Sequence, residues 1–136
     1  MLKHYEGIEG LKVDALCQLQ LRSERIVIIP FTAKQFDIDL RNLSNMAIIS
    51  EQELVEKEKS VVLRGAIGSL FFGGGGLILG GLAGLRNKKV IKKVDYLIIN
   101  YKDNEEEKVM SFVVKKGLLT NTFIDKVRKQ IDSIEK

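Results

Sequence analysis

The sequence predicts an α+β fold, with short antiparallel strands over most of its length and one amphipathic helix at its end. Three observations carry that expectation. Cys17, Leu19 and Leu21 alternate with Gln18 and Gln20, the two-residue period of a strand with one wet face. Tyr96-Leu97-Ile98-Ile99-Asn100-Tyr101 and the run Val109 to Val114 flank the turn-forming Asp103-Asn104-Glu105. Phe123, Ile124, Val127, Ile131 and Ile134 recur at helical spacing, with Lys126, Arg128, Lys129 and Asp132 between them.

In chain order, the Cys17–Leu21 strand meets the polar break Arg22-Ser23-Glu24-Arg25 and then the β-branched run Ile26 to Ile29, which together read as a hairpin. Pro30 ends the run because it has no N–H to give a ladder. Phe36, Ile38 and Leu40 alternate with Asp37 and Asp39 and form a third strand; Met46 to Ile49 form a fourth. The charged stretch Glu51 to Lys59 is a loop or a short exposed helix, and Val61-Val62-Leu63 is a fifth strand. The hairpin at Tyr96–Val114 follows, and Thr122 with Asp125 supplies a capping pair for the final helix.

Composition narrows the class. With 136 residues the chain suits one domain spanning 1–136, and 45% hydrophobic residues suits a packed core. The 22 basic against 18 acidic residues give +4, too slight an excess for a nucleic-acid footprint. A single cysteine, Cys17, excludes an internal disulfide, and Met1 to Gly10 lacks the apolar core of a secretory signal. The expected location is cytoplasmic.

Short antiparallel strands closed by a C-terminal helix resemble the pleckstrin-homology-like superfamily. The succession Ile26–Ile29, Phe36-Asp37-Ile38-Asp39-Leu40 and Leu43-Ser44 is similar to the way its bacterial members run. The resemblance covers about residues 12–135. It implies an antiparallel barrel of about seven strands, built from two roughly orthogonal sheets and plugged at one end by the helix. Residues 12–64 and 90–135 would form the barrel and helix, and 65–89 an insert of the glycine-rich kind that some bacterial and phage proteins of this type carry. Much of the superfamily binds phosphoinositides or peptides, but no ligand residue transfers to this chain.

The insert is the unusual feature. Gly65 to Leu85 carries no charge over 21 residues, and nine of them are glycine. Three readings stand. One is a helical hairpin bent at Gly73-Gly74-Gly75-Gly76, in which Ile67, Leu70, Phe71 and Phe72 pack against Leu77, Ile78, Leu79 and Leu82. The second is a single transmembrane helix over 65–85, about the length a bilayer needs. The third is an irregular loop. Gly65, Ser69 and Gly73 stand four apart, as do Gly76, Gly80 and Gly84, so a helical insert would carry stripes along which another backbone can approach. Arg86, Lys88, Lys89, Lys92 and Lys93 lie beside it and suit an anionic membrane surface. The insert is also expected to be dispensable for folding, since insertions between strands cost little.

Chemistry is sparse elsewhere. His4 is the only histidine, so a two-histidine metal site cannot be built, and the residue is read as a bystander in a loose terminus. Cys17 reads as a small core hydrophobe, and Asp37 with Asp39 as a solvated strand face. No complete phosphate-loop frame exists in the glycine run. Aromatic residues for base stacking are not interleaved with the lysines, which disfavours nucleic acid. The expectation is a non-enzymatic binding or scaffolding module without a cofactor. Its partners would be itself, as a homo-oligomer, another protein or the inner membrane face. Contact would run through Gly65, Ser69, Phe71, Phe72, Gly73, Gly76, Leu77, Gly80 and Gly84.

Overall fold

The computed structural model describes residues 2–56, 70–71, 77–87, 89, 93–114 and 120–135. Its strands are β1 (Leu2–Glu6), β2 (Leu16–Arg22), β3 (Arg25–Pro30), β4 (Phe36–Asp39), β5 (Leu43–Ser50), β6 (Leu70–Phe71), β7 (Asp95–Asp103) and β8 (Glu106–Val114). The helices are α1 (Glu51–Glu56) and α2 (Thr120–Glu135), with 3-10 helices at Leu40–Asn42 and Gly80–Asn87. All neighbours in the sheet are antiparallel, in the order β4-β3-β2-β1-β8-β7-β5-β6.

The sheet curls. Six strand spacings separate β4 from β5, about 29 Å in a flat sheet at ~4.8 Å each. Yet Asp39 ends β4 and Leu43 begins β5, and the intervening chain reaches at most ~14 Å. The two strands must therefore approach across a fold in the sheet. Accordingly Ile38 of β4, Met46 of β5 and Ile99 of β7 belong to one core. The expected closed barrel is not what the ladder forms, because β4 and β6 are its ends among the described residues. What holds is the antiparallel sheet and the closing helix.

Helix α2 plugs the inside of that curl. Ile124, Val127 and Ile131 are buried in the inner core, and Phe123 and Ile134 pack beside it. These are the five residues picked out by periodicity. The capping pair is placed differently. Thr122 lies inside the helix, which starts at Thr120, and Asp125 pairs with Arg128 at 3.3 Å.

The N-terminus departs most from expectation. Instead of a loose lead-in, β1 sits at the middle of the sheet between β2 and β8, with Leu2 opposite both Cys17 and Val114. The sheet therefore begins at residue 2 and not at residue 12. Cys17 is fully buried, with Leu19 and Leu21 packed against the same inner core. Two hairpins turn through consecutive left-handed residues, Ser23-Glu24 (φ 40° and 65°) and Asn104-Glu105 (φ 52° and 68°). That backbone matches the twist of the paired strands.

A second core lies on the outer face. Strand alternation sends Leu97, Ile99 and Tyr101 inward and Tyr96 and Ile98 outward. The outward residues join Ala47 and Ile49 of β5, Leu54 of α1, and Leu77 and Leu82 of the glycine-rich segment. Of the loop or short exposed helix expected over Glu51–Lys59, a helix forms at Glu51–Glu56, but Glu51 and Leu54 are buried. The expected strand at Val61–Leu63 lies outside the described residues.

Candidate functional site

Residues 77–82 of the glycine-rich segment are seated on the outer face by polar contacts as well as apolar ones. Asn100 occurs within the buried run of β7 and is fully buried. Its Oδ1 accepts from the Ile78 N–H at 2.7 Å, and its Nδ2 donates to the Ile78 carbonyl at 2.9 Å. One side-chain amide thus satisfies both backbone groups of one residue, as a neighbouring strand would. Asn45 Nδ2 donates to the same Oδ1 at 3.4 Å. Leu77 and Leu82, 4% and 0% exposed, enter the outer core on either side of this clamp.

Positive φ and close approach then account for Gly80. Gly80 has φ +59°, and a Cβ there would lie 2.7 Å from Val109 Cγ1. A Cβ on Gly81 would meet the Glu6 carboxylate. Gly84 faces open space instead. In a 3-10 helix of three residues per turn, positions four apart are rotated by about 120°, so Gly80 and Gly84 do not share a stripe. Neither helical reading of the insert describes these residues. Leu70 and Phe71 pair with Met46 and Asn45 as a strand, and 77–79 are non-helical before the 3-10 helix begins. A helical hairpin with Leu70 and Phe71 in its first arm, or one helix over 65–85, is thereby replaced. No helix among the described residues is long and apolar enough to cross a membrane.

Of the expected contact residues, Gly65, Ser69, Phe72, Gly73 and Gly76 lie outside the described residues. Phe71 is in β6, Leu77 is buried, and Gly80 is held against β8. In the basic flank, Lys89 and Lys93 are exposed, Arg86 falls in the last turn of the 3-10 helix, and Lys88 and Lys92 lie outside the described residues. Ile78 is 40% exposed although its backbone is clamped. The structure therefore brings an exposed apolar side chain, an open glycine and the start of the basic flank onto one anchored segment.

Two further buried polar groups complete the picture. Glu51 is fully buried at the start of α1 and accepts from the Tyr96 hydroxyl at 3.0 Å. Burial, then the bond to Glu51, raises the Tyr96 phenol above its ordinary value. Ser50 Oγ accepts from the Glu53 N–H at 3.1 Å and caps α1. His4, also buried, holds the β1–β2 loop: Nε2 accepts from the Ile8 N–H at 3.1 Å and Nδ1 stands 3.0 Å from the Lys12 carbonyl. Since Nε2 is the acceptor, Nδ1 carries the proton. The bystander reading gives way to a loop-organising role.

Asp37 is paired with Arg25 at 3.5 Å, and Asp39 caps the 3-10 turn through the Arg41 N–H at 2.9 Å. Among the described residues, no group of three or more His, Cys, Asp or Glu side chains is placed to hold a metal ion. Comparison with family models, with curated proteins and with solved structures returns no match.

Sequence reasoning passed over Asn100, Asn45, Glu51 and Tyr96. A signal for Asn100 existed. An amide inside the apolar run Leu97–Tyr101 must find a partner when buried, and none is available within its own strand.

Proposed function

We propose that this chain is a non-enzymatic binding module that holds an anionic membrane surface through its anchored glycine-rich segment. The observation that carries the reading is the Asn100 clamp, because it fixes the orientation of a segment whose exposed face would otherwise be undefined. Ile78 offers apolar insertion, and the exposed Lys89 and Lys93, which follow the segment in the chain, offer charge. Apolar contact combined with cations is the physical recipe for peripheral attachment.

The pleckstrin-homology-like reading of the fold belongs to the same proposal. It is supported by the β1–β4 meander, the joining of the two halves of the sheet through β1 and β8, and the position of α2 inside the curl.

The test is co-sedimentation with vesicles of phosphatidylserine and phosphatidylcholine against phosphatidylcholine alone. Each basic residue near an anionic surface contributes about 1 kcal/mol, so Lys89→Gln with Lys93→Gln should weaken binding roughly thirty-fold. Ile78→Asp should weaken it further. Binding should fall with salt. A wild-type protein that ignores the anionic vesicles at low salt refutes the reading.

A further inference from the structure

The outer face of β5, β7 and β8 carries the chain's own residues 77–87. Three kinds of contact hold the segment there. Leu77 and Leu82 fill apolar space lined by Ala47, Ile49, Leu54, Tyr96 and Ile98. Asn100 takes both backbone groups of Ile78. Gly80, at φ +59°, permits an approach to Val109 that a Cβ would crowd. Every one of these contacts is noncovalent and joins one segment to elements distant from it in the chain.

A second copy carries both the same segment and the same face, so the fit is equally good between molecules. We propose that two copies of this chain associate by exchanging residues 77–87, each segment docking on the other's β5–β7–β8 face. Exchange of an identical element needs no new complementarity. The chain around the segment has the composition and length for it. Phe71, opposite Asn45, is joined to Leu77 through Phe72 and four glycines, the residue type that least restricts a change of direction. On the far side, the seven residues 88–94 can extend to about 23 Å before β7 begins at Asp95. A short tether gives the resident segment an effective concentration on the order of millimolar. The monomer therefore prevails in dilute solution, and exchange grows as the local concentration approaches that range. This inference does not rest on the membrane reading. It replaces the glycine stripe as the route to self-association.

Complementation between two variants tests it. Leu82→Asp disables the segment and leaves the face intact; Asn100→Val disables the face and leaves the segment intact. Each alone should be monomeric, with fast hydrogen exchange at the Ile78 amide. Mixed in equal amounts, they should form dimers containing one chain of each kind by native mass spectrometry. In those dimers slow exchange should return at Ile78 of the Asn100→Val chain only. If Leu82→Asp fails to fold, Leu82→Ala takes its place. The wild-type chain gives an independent readout, as a monomer–dimer equilibrium up to roughly millimolar with Ile78 protected throughout. Mixtures that stay monomeric overturn the proposal. So does a wild type monomeric across that range, or a Leu82→Asp chain that dimerises as well by itself.

Discussion

His4 shows how one side chain can organise a loop that would otherwise have no periodic structure. Its ring lies edge-on to Phe112 at 6.0 Å while its two nitrogens serve Ile8 and Lys12. Replacing it with phenylalanine keeps the ring and removes both polar contacts. An unmet, partly buried N–H or carbonyl costs about 1–3 kcal/mol, so His4→Phe should lower the urea midpoint, with a loss of unfolding free energy in that range. An unchanged midpoint would mean that water serves those groups equally well. Glu105 presents the opposite case. It is exposed and sits at φ 68°, a conformation that costs a residue with a Cβ about 1 kcal/mol. Glu105→Gly should therefore leave stability unchanged or raise it by up to about 1 kcal/mol, the larger backbone entropy of glycine offsetting part of the gain. Tyr96 and Tyr101 set the behaviour in alkali. Burial, the largest cause for both, raises their phenols above the usual value of about 10. The folded state then retains protons that the unfolded state releases. Stability should be level below about pH 10 and fall as pH rises above it. Urea titrations from pH 8 upward measure that slope, and Tyr101→Phe should reduce it.

At the scale of elements, α2 is the clearest test of packing. Val127 and Ile131 are 0% and 6% exposed in the inner core. A charge placed there has no partner, so Val127→Asp or Ile131→Asp should cost more than about 4 kcal/mol, at the severe end for single substitutions. Loss of the cooperative thermal transition is the expected result, and a melting temperature unchanged by both would remove α2 from the core. The helix was legible because its five apolar positions repeat every three or four residues, a pattern set by helical geometry and by one-sided burial together. β1 was not legible for the complementary reason. Lys3, His4, Tyr5 and Glu6 offer no alternation of apolar and polar types, since His4 faces inward as a polar residue and Tyr5 packs outward against Tyr96 at 5.6 Å. The pattern is present only once His4 is known to be satisfied by the loop.

Over the whole molecule, two cores share the sheet, and the insert closes the second. Deleting residues 65–85 and joining the ends with a Gly-Ser turn would strip Leu77 and Leu82 from Ile49, Tyr96 and Ile98. Two leucine burials at about 1.5–3 kcal/mol each suggest a loss of roughly 3–6 kcal/mol. The deleted protein should melt lower than the full chain and bind a hydrophobic dye, and equal melting temperatures would return the insert to the status of a dispensable loop. Periodicity in the amino-acid order was enough to determine β2, β3, the β7–β8 hairpin and the face that α2 buries, because those signals arise within a few residues. The antiparallel α+β class followed from them. Tertiary structure decided what joins distant segments: β1 between β2 and β8, the fold in the sheet that brings β4 to β5, and the seat of 77–87 on Asn100. A glycine-rich segment carries little side-chain pattern from which its conformation could be read. Its backbone takes whatever shape its partners' hydrogen bonds and close contacts select, and here those partners are Asn100, Val109 and Glu6.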